Sequence, residues 1–280
     1  METSELICIN GRLLPIAESG PPILGQLTGN YVYQHIHTLD HRPLHIRAHL
    51  DIAGKALADL YGQKLPFTQD DLLLTLARLL AANRRSRHSH TVGLYLFPYE
   101  SATGDQQDRP DYLIRCHRTL LYRGYTLWHT RMSATVATDE HTPPGYPTDA
   151  ALMTARFCRQ NARRHGFDLA IHENGAGIVT GMGDAPVFCV KDRTLYTTPL
   201  AAGAPDSVMR RLICAAAVRC HLEVREIAIR TEWLGDCDEI FTADTQGLIS
   251  IASLAGTNSK VYFSLMADYL GERLNDTELS

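Results

Sequence analysis

Tyr33, His35 and His37 alternate along the run Tyr-Gln-His-Ile-His. Alternation puts them on one face of any regular strand, with Gln34 and Ile36 on the other. His45, Arg47 and His49 follow closely, making this the densest polar group in the chain. Three readings fit such a set. A His-x-His pair on one face can ligate a metal that keeps an open position. Histidine and tyrosine together can act as general acid and base near neutral pH. Or the residues are partly solvated and do no chemistry. No carboxylate or cysteine stands at ligand spacing beside the pair, so no metal is expected. Cys116 and His117 are sequence neighbours on an expected strand, so their side chains point to opposite faces and cannot form a nucleophile–base pair.

The elements that must position this group are legible from punctuation and periodicity. Residues 6–14 alternate around Asn10-Gly11, a hairpin turn signal. Residues 31–39 read as a strand from their aromatic and β-branched content. A helix is expected from about His49 to Leu60, stopping at Gly62. Thr68-Gln-Asp-Asp71 is a capping-box-like start for a helix from Leu72 to Ala82. Strands are expected near 91–97, 112–118 and 125–131. Asp149 can cap a helix reaching Arg164, with Gly166 past its end. Further strands are expected near 168–172, 177–180, 186–190, 194–197, 224–229 and 239–242. Helices are expected from Asp206 or Ser207 to Cys220 and from Ser259 to Leu274. Strands and hairpins interleaved with helices give an α+β class with two domains. A small domain over 1–130 is expected, then a linker over 131–148, whose Thr138–Thr148 part is rich in proline. A large domain over 149–280 follows.

The chain has 280 residues, 45% hydrophobic, enough for a sizeable core, and a net charge of −4. That balance gives no reason to expect a nucleic-acid partner. The basic cluster Arg84, Arg85, Arg87, His88 and His90 reads as a solvated helix end. No apolar run is long enough to span a membrane, and the start of the chain lacks the pattern of a signal peptide. The seven cysteines include no CxxC pair and sit mostly among apolar residues. Buried reduced thiols and a cytoplasmic location are expected.

Several segments carry a resemblance. One runs from Asn161-Ala-Arg-Arg-His-Gly166 through His172-Glu-Asn-Gly175 and Gly177-Ile-Val-Thr180 to Val187–Pro199. A second is Leu222-Glu-Val-Arg-Glu226 with Cys237-Asp-Glu-Ile-Phe-Thr242, and a third joins Asn10-Gly11, Arg42-Pro43-Leu44 and His49-Leu50. In order and spacing the chain resembles the class IV aminotransferases, the pyridoxal-phosphate fold type IV group. That group includes branched-chain and D-amino-acid aminotransferases and aminodeoxychorismate lyase. The resemblance implies the two-domain D-amino-acid-aminotransferase-like architecture and a homodimer. It also implies a pocket lined by the counterpart of the family's Phe-Glu-Thr-Ile-Arg strand, here Tyr33–His37.

The cofactor residues that the resemblance calls for are missing. The family needs a lysine amine to form an imine with the cofactor aldehyde. Counting back from Gly166 puts that position at Pro147 or Thr148, and the chain's lysines are only Lys55, Lys64, Lys191 and Lys260. Lys191 reads as an exposed hairpin lysine. The glutamate that holds the pyridine nitrogen aligns with Gly181, beside Thr180. The phosphate-binding arginine aligns with Ile52. The phosphate-binding turns align with Ser207-Val208-Met209-Arg210 and Asp244-Thr245-Gln246. Asp244 would set a carboxylate against a phosphate dianion, which costs several kcal/mol in a partly dry site. The reading is therefore a class IV aminotransferase homologue that expects no cofactor. Its pocket candidates are Tyr33, His35, His37, Arg47, Thr180, Arg210 and Thr245, for another small molecule or a structural or regulatory role. The alternatives are an active pyridoxal-phosphate aminotransferase or lyase, and a cofactor-free enzyme using Tyr33, His35 and His37.

Overall fold

A computed structural model describes residues 5–16, 30–40, 42–84, 89–98, 109–119, 126–138, 145–245, 247–251, 254 and 259–272. The chain divides into two compact units. One holds Met1–Gly124, Pro147–Asp149 and Asp276–Ser280; the other holds Tyr125–Tyr146 and Ala150–Asn275.

In the first unit, β1 (Leu6–Ile9) and β2 (Arg12–Pro15) form a hairpin. Asn10 and Gly11 at its turn have φ of 46° and 81°, the left-handed values a two-residue hairpin turn demands. With β3 (Val32–Leu39), β4 (Arg42–Pro43), β5 (His90–Phe97) and β6 (Asp111–Thr119) they make a six-stranded sheet ordered β2-β1-β6-β5-β3-β4. All its pairings are antiparallel. Helix α1 (Ile46–Tyr61) ends at Gly62 with φ 67°, whose amide closes onto the Ala58 carbonyl. Helix α2 (Gln69–Ala82) starts with a complete capping box between Thr68 and Asp71.

Strand β3 keeps unbroken register with β5 from Val32 to Thr38, so its side chains alternate strictly. Gln34 is buried and accepts a hydrogen bond from His49 Nδ1 of α1 at 2.7 Å, which marks its face as the helix-covered one. Ile36 shares that face and is fully buried. The opposite face carries an apolar patch of Ile7, Phe97 and Leu113, with Ile9, Tyr31 and Tyr95 packed on it.

The second unit is mixed in strand direction. Its elements are β7 (Thr126–Met132), β8 (Ala134–Thr138), α3 (Asp149–Arg164), β9 (Leu169–Glu173), β10 (Val179–Gly181), β11 (Val187–Lys191), β12 (Thr194–Thr197), α4 (Val208–Arg219), β13 (Glu223–Glu226), β14 (Glu239–Asp244), β15 (Gly247–Ile251) and α5 (Val261–Glu272). One sheet runs β10-β9-β8 and the other β13-β12-β11-β14-β15-β7. Phe188 stacks on Phe241 at 5.2 Å, and Phe241 meets Phe263 at 5.7 Å, which packs α5 on the larger sheet. The buried Glu239 carboxylate accepts the amides of Tyr262 at 3.0 Å and Phe263 at 2.8 Å, capping the orphan donors of α5. Among the described residues no helix is long and apolar enough to cross a membrane.

Several local expectations change. His90 is buried at the start of β5 instead of lying at a solvated helix end; Arg85, Arg87 and His88 lie outside the described residues. The span 131–148 contains β8, and 139–144 lie outside the described residues. Lys191 is half-buried, not exposed, because its amine donates to the Asp236 carbonyl at 2.7 Å. All seven cysteines are reduced thiols; Cys214 and Cys220 are half-buried and the others buried.

Candidate functional site

On the face of the first unit's sheet away from α1, rings from adjacent strands meet. Tyr33 and His35 lie 5.0 Å apart between ring centroids, His35 and His117 5.3 Å, and His35 and Tyr95 6.5 Å. Tyr95 Oη and His117 Nε2 are hydrogen-bonded at 2.6 Å. The arrangement depends on Gly93, which pairs with His35 on one side and Arg115 on the other. A side chain at residue 93 would put its Cβ 2.3 Å from His117 Nε2 and 2.7 Å from Tyr95 Cε2. The notch left by glycine is where the imidazole lies.

His117 is exposed, and only the side of its ring toward Tyr95 and His35 is packed. Burial, and then the positive fields of His35 and Arg115, push it down to about 4. It is therefore a neutral imidazole at physiological pH, paired with a phenol. Such a pair can bind and can pass a proton. Cys116, next in sequence, is buried on the opposite side of the sheet, within 3.8 Å of Asn83 Nδ2.

The sequence-predicted group is only partly assembled. Tyr33 and His35 are in the ring cluster. His37 shares their face by register and is buried beyond them. Arg47 is exposed on the first turn of α1 and makes none of the ring contacts. Tyr95 and His117 complete the cluster with no local sign in the sequence. The period-two pattern of β5 and β6 gives their faces, but nothing local tells which strands pair. Among the described residues no cluster of three or more histidine, cysteine or acidic side chains could hold a metal.

In the second unit each position that the resemblance assigns to cofactor binding has another engagement. Thr180 Oγ1 donates to the His172 carbonyl at 3.3 Å. A side chain at Gly181 would bring its Cβ to 2.9 Å from the Ala185 carbonyl oxygen and 3.1 Å from the Pro205 ring. Ser207 caps α4, and Met209 is buried in its first turn. Arg210 is buried, donating to the Thr198 carbonyl at 3.1 Å and to Glu226 at 3.0 Å. The Asp244 carboxylate is engaged: its Oδ1 accepts the Gly247 amide at 3.2 Å and closes its own hairpin, of which Thr245 is the turn. In the first unit Ile52 is core. Thr148 forms a bridge with Val32, and the Pro147 carbonyl accepts the Tyr33 amide at 2.9 Å.

Comparison with known proteins agrees with this fold. The amino-transferase class IV family matches residues 32–254. A branched-chain-amino-acid aminotransferase of Salmonella typhimurium is 33% identical over 98 residues, or 35% of this chain and 32% of that protein. The match thus spans about a third of the length of that curated relative. The structure of a branched-chain aminotransferase from the archaeon Thermoproteus uzoniensis, with norvaline, superposes with a TM-score of 0.82 at 18% identity. It covers 98% of this chain and 97% of that one. The branched-chain amino acid aminotransferase from Escherichia coli gives 0.79 at 20% identity, over 99% of this chain and 96% of that one. Likeness at such identities shows the fold alone. The family match, which takes in most of both units, does more: this chain belongs to the amino-transferase class IV family.

Proposed function

We propose that this member of the family has lost pyridoxal-phosphate chemistry. Its pocket now serves another small molecule, or a structural or regulatory role. The observation that carries this reading is the residue pair Pro147 and Thr148 where an imine-forming lysine is needed. Proline has no side-chain nucleophile, and a threonine hydroxyl cannot form an imine. Lys191, the lysine that first invites attention, is tied to Asp236.

The residues present do not fit the cofactor at its other contacts either. Gly181 offers no carboxylate for a pyridine nitrogen, and its surroundings leave no room for one. Ile52 and Met209 are apolar core residues at positions assigned to phosphate contacts. Asp244 contributes a negative charge where a dianion would sit. A relation to a family does not carry its activity once the site residues are gone. The reading includes a homodimer, as the resemblance implies, and a cytoplasmic location, as the reduced cysteines suggest, with neither nucleic acid nor membrane as partner.

A second reading is favoured by one specific observation, the Tyr95–His117 hydrogen bond beside Tyr33 and His35. A neutral imidazole held against a phenol offers substrate a proton acceptor without a cofactor, though a weak one near neutral pH because it is pushed down to about 4. Absorption spectra of the purified protein test the main reading. The expected spectrum has no band beyond the protein's own near-ultraviolet absorbance. A visible or near-ultraviolet cofactor band, shifting on addition of an amino acid, would overturn it in favour of an active aminotransferase or lyase.

A further inference from the structure

Three strands set a cation beside rings on one face of the first unit's sheet. Tyr95 of β5 pairs with Leu113 of β6, and Gly93 with Arg115, in unbroken register. Leu113 and Arg115 therefore alternate onto the face that carries Tyr95, and β3 brings Tyr33 and His35 to the same face. The hydrogen bond from His117 to Tyr95 fixes the imidazole there as well. Arg115 is exposed and forms no ion pair with a described residue. Thr91 lies two residues from Gly93 on this face. It is 7% exposed, and its hydroxyl has no hydrogen-bond partner among the described residues. A buried hydroxyl left without a partner costs free energy until a ligand atom supplies one.

Beside the cation the face turns apolar. Leu113 packs with Ile7 and Phe97. Tyr31 meets Tyr95 at 5.5 Å and Phe97 at 5.8 Å, both edge-on. Tyr95 and His35 are half-buried, so each keeps part of its ring open to another group.

We propose that Arg115, Tyr95 and His35 form a binding site for a small aromatic carboxylate, its acid on Arg115 and its ring against Tyr95 and His35. A guanidinium presents parallel N–H donors that match the two oxygens of a carboxylate. A planar ring meets a phenol and an imidazole edge-on or offset, as aromatic pairs prefer. The Thr91 hydroxyl receives a polar substituent of that ring. A neutral amide of the same shape loses the contact with Arg115, and inorganic phosphate loses the contacts with the rings. This site rests on the reading that the pocket serves a molecule other than the cofactor. That reading fails by an absorption band, the site by a titration.

Benzoate is titrated into the full chain while the imidazole signals of His35 and His117 are followed by NMR. Benzamide and inorganic phosphate are the comparison probes. Benzoate is expected to shift both imidazoles saturably. It is also expected to raise the pH at which His117 titrates above about 4. An anion there offsets the positive fields of His35 and Arg115, which with the Tyr95 phenol are the titratable groups facing His117 among the described residues. Benzamide and phosphate are each expected to bind about tenfold or more weakly than benzoate. R115Q changes an exposed side chain and is expected to weaken benzoate about tenfold or more. No saturable shift, benzamide or phosphate binding as well as benzoate, or undiminished benzoate binding in R115Q would each overturn the site.

Discussion

The phenol of Tyr95 reaches Nε2 of His117 at 2.6 Å, beside the notch left where residue 93 carries no side chain. One glycine on β5 thereby sets the position of an imidazole on β6. The first prediction follows from the 2.3 Å approach that a Cβ would make to that nitrogen. In G93A the His117 ring must swing out. The variant is expected to lose about 1–3 kcal/mol, the usual cost of overpacking a tight site. His117, now in water, should titrate close to an unperturbed histidine. Urea unfolding and a histidine NMR titration read both effects; a G93A protein of wild-type stability with His117 still titrating near 4 would refute the notch.

The same imidazole gives a pH dependence. Its folded-state value of about 4 lies below the ordinary 6.5, mainly through burial. As pH falls, the unfolded chain binds this proton before the folded one does. The stability contribution is therefore complete above about 6.5 and is lost as pH falls from there to about 4. Comparing urea midpoints across that window, the wild type should weaken more steeply than H117Q. Parallel pH profiles would show that His117 is not held neutral.

Two arginines predict opposite outcomes. Arg210 is buried and donates both to the Thr198 carbonyl and to Glu226. Arg225 pairs with Glu223 at 2.7 Å, but both partners are more than half exposed. R210A should cost about 2–4 kcal/mol through lost packing and lost buried hydrogen bonds. R225A should cost no more than about 0.5 kcal/mol, as exposed pairs do. Thermal or chemical denaturation decides; equal costs would mean that Arg210 holds nothing in place.

What is legible in the sequence is what is encoded locally. The Thr68–Asp71 capping box, the Asn10-Gly11 turn and the end of α3 before Gly166 need only nearby residues, and they form as expected. The shared face of Tyr33, His35 and His37 needs only the two-residue period of a strand. The ring cluster needs more. His35 lies opposite Gly93, and Gly93 opposite Arg115, through pairings set by the whole sheet. No window of sequence shows that Tyr95 and His117 join Tyr33 and His35. Arg47 differs for a related reason: proximity in sequence groups it with the histidines, but the first turn of α1 presents it to solvent. Alignment makes Asp244 a charge facing a phosphate, whereas its hydrogen bond to the Gly247 amide comes from the tightness of its own hairpin.

The central claim, that this chain forms no imine with pyridoxal phosphate, is tested most directly by borohydride. Protein as purified is reduced, digested and mapped by mass spectrometry for a phosphopyridoxyl group on Lys55, Lys64, Lys191 or Lys260. No adduct is expected on any of these lysines. A stoichiometric, borohydride-stable adduct on one of them, with Lys191 the first place to look, would contradict the claim.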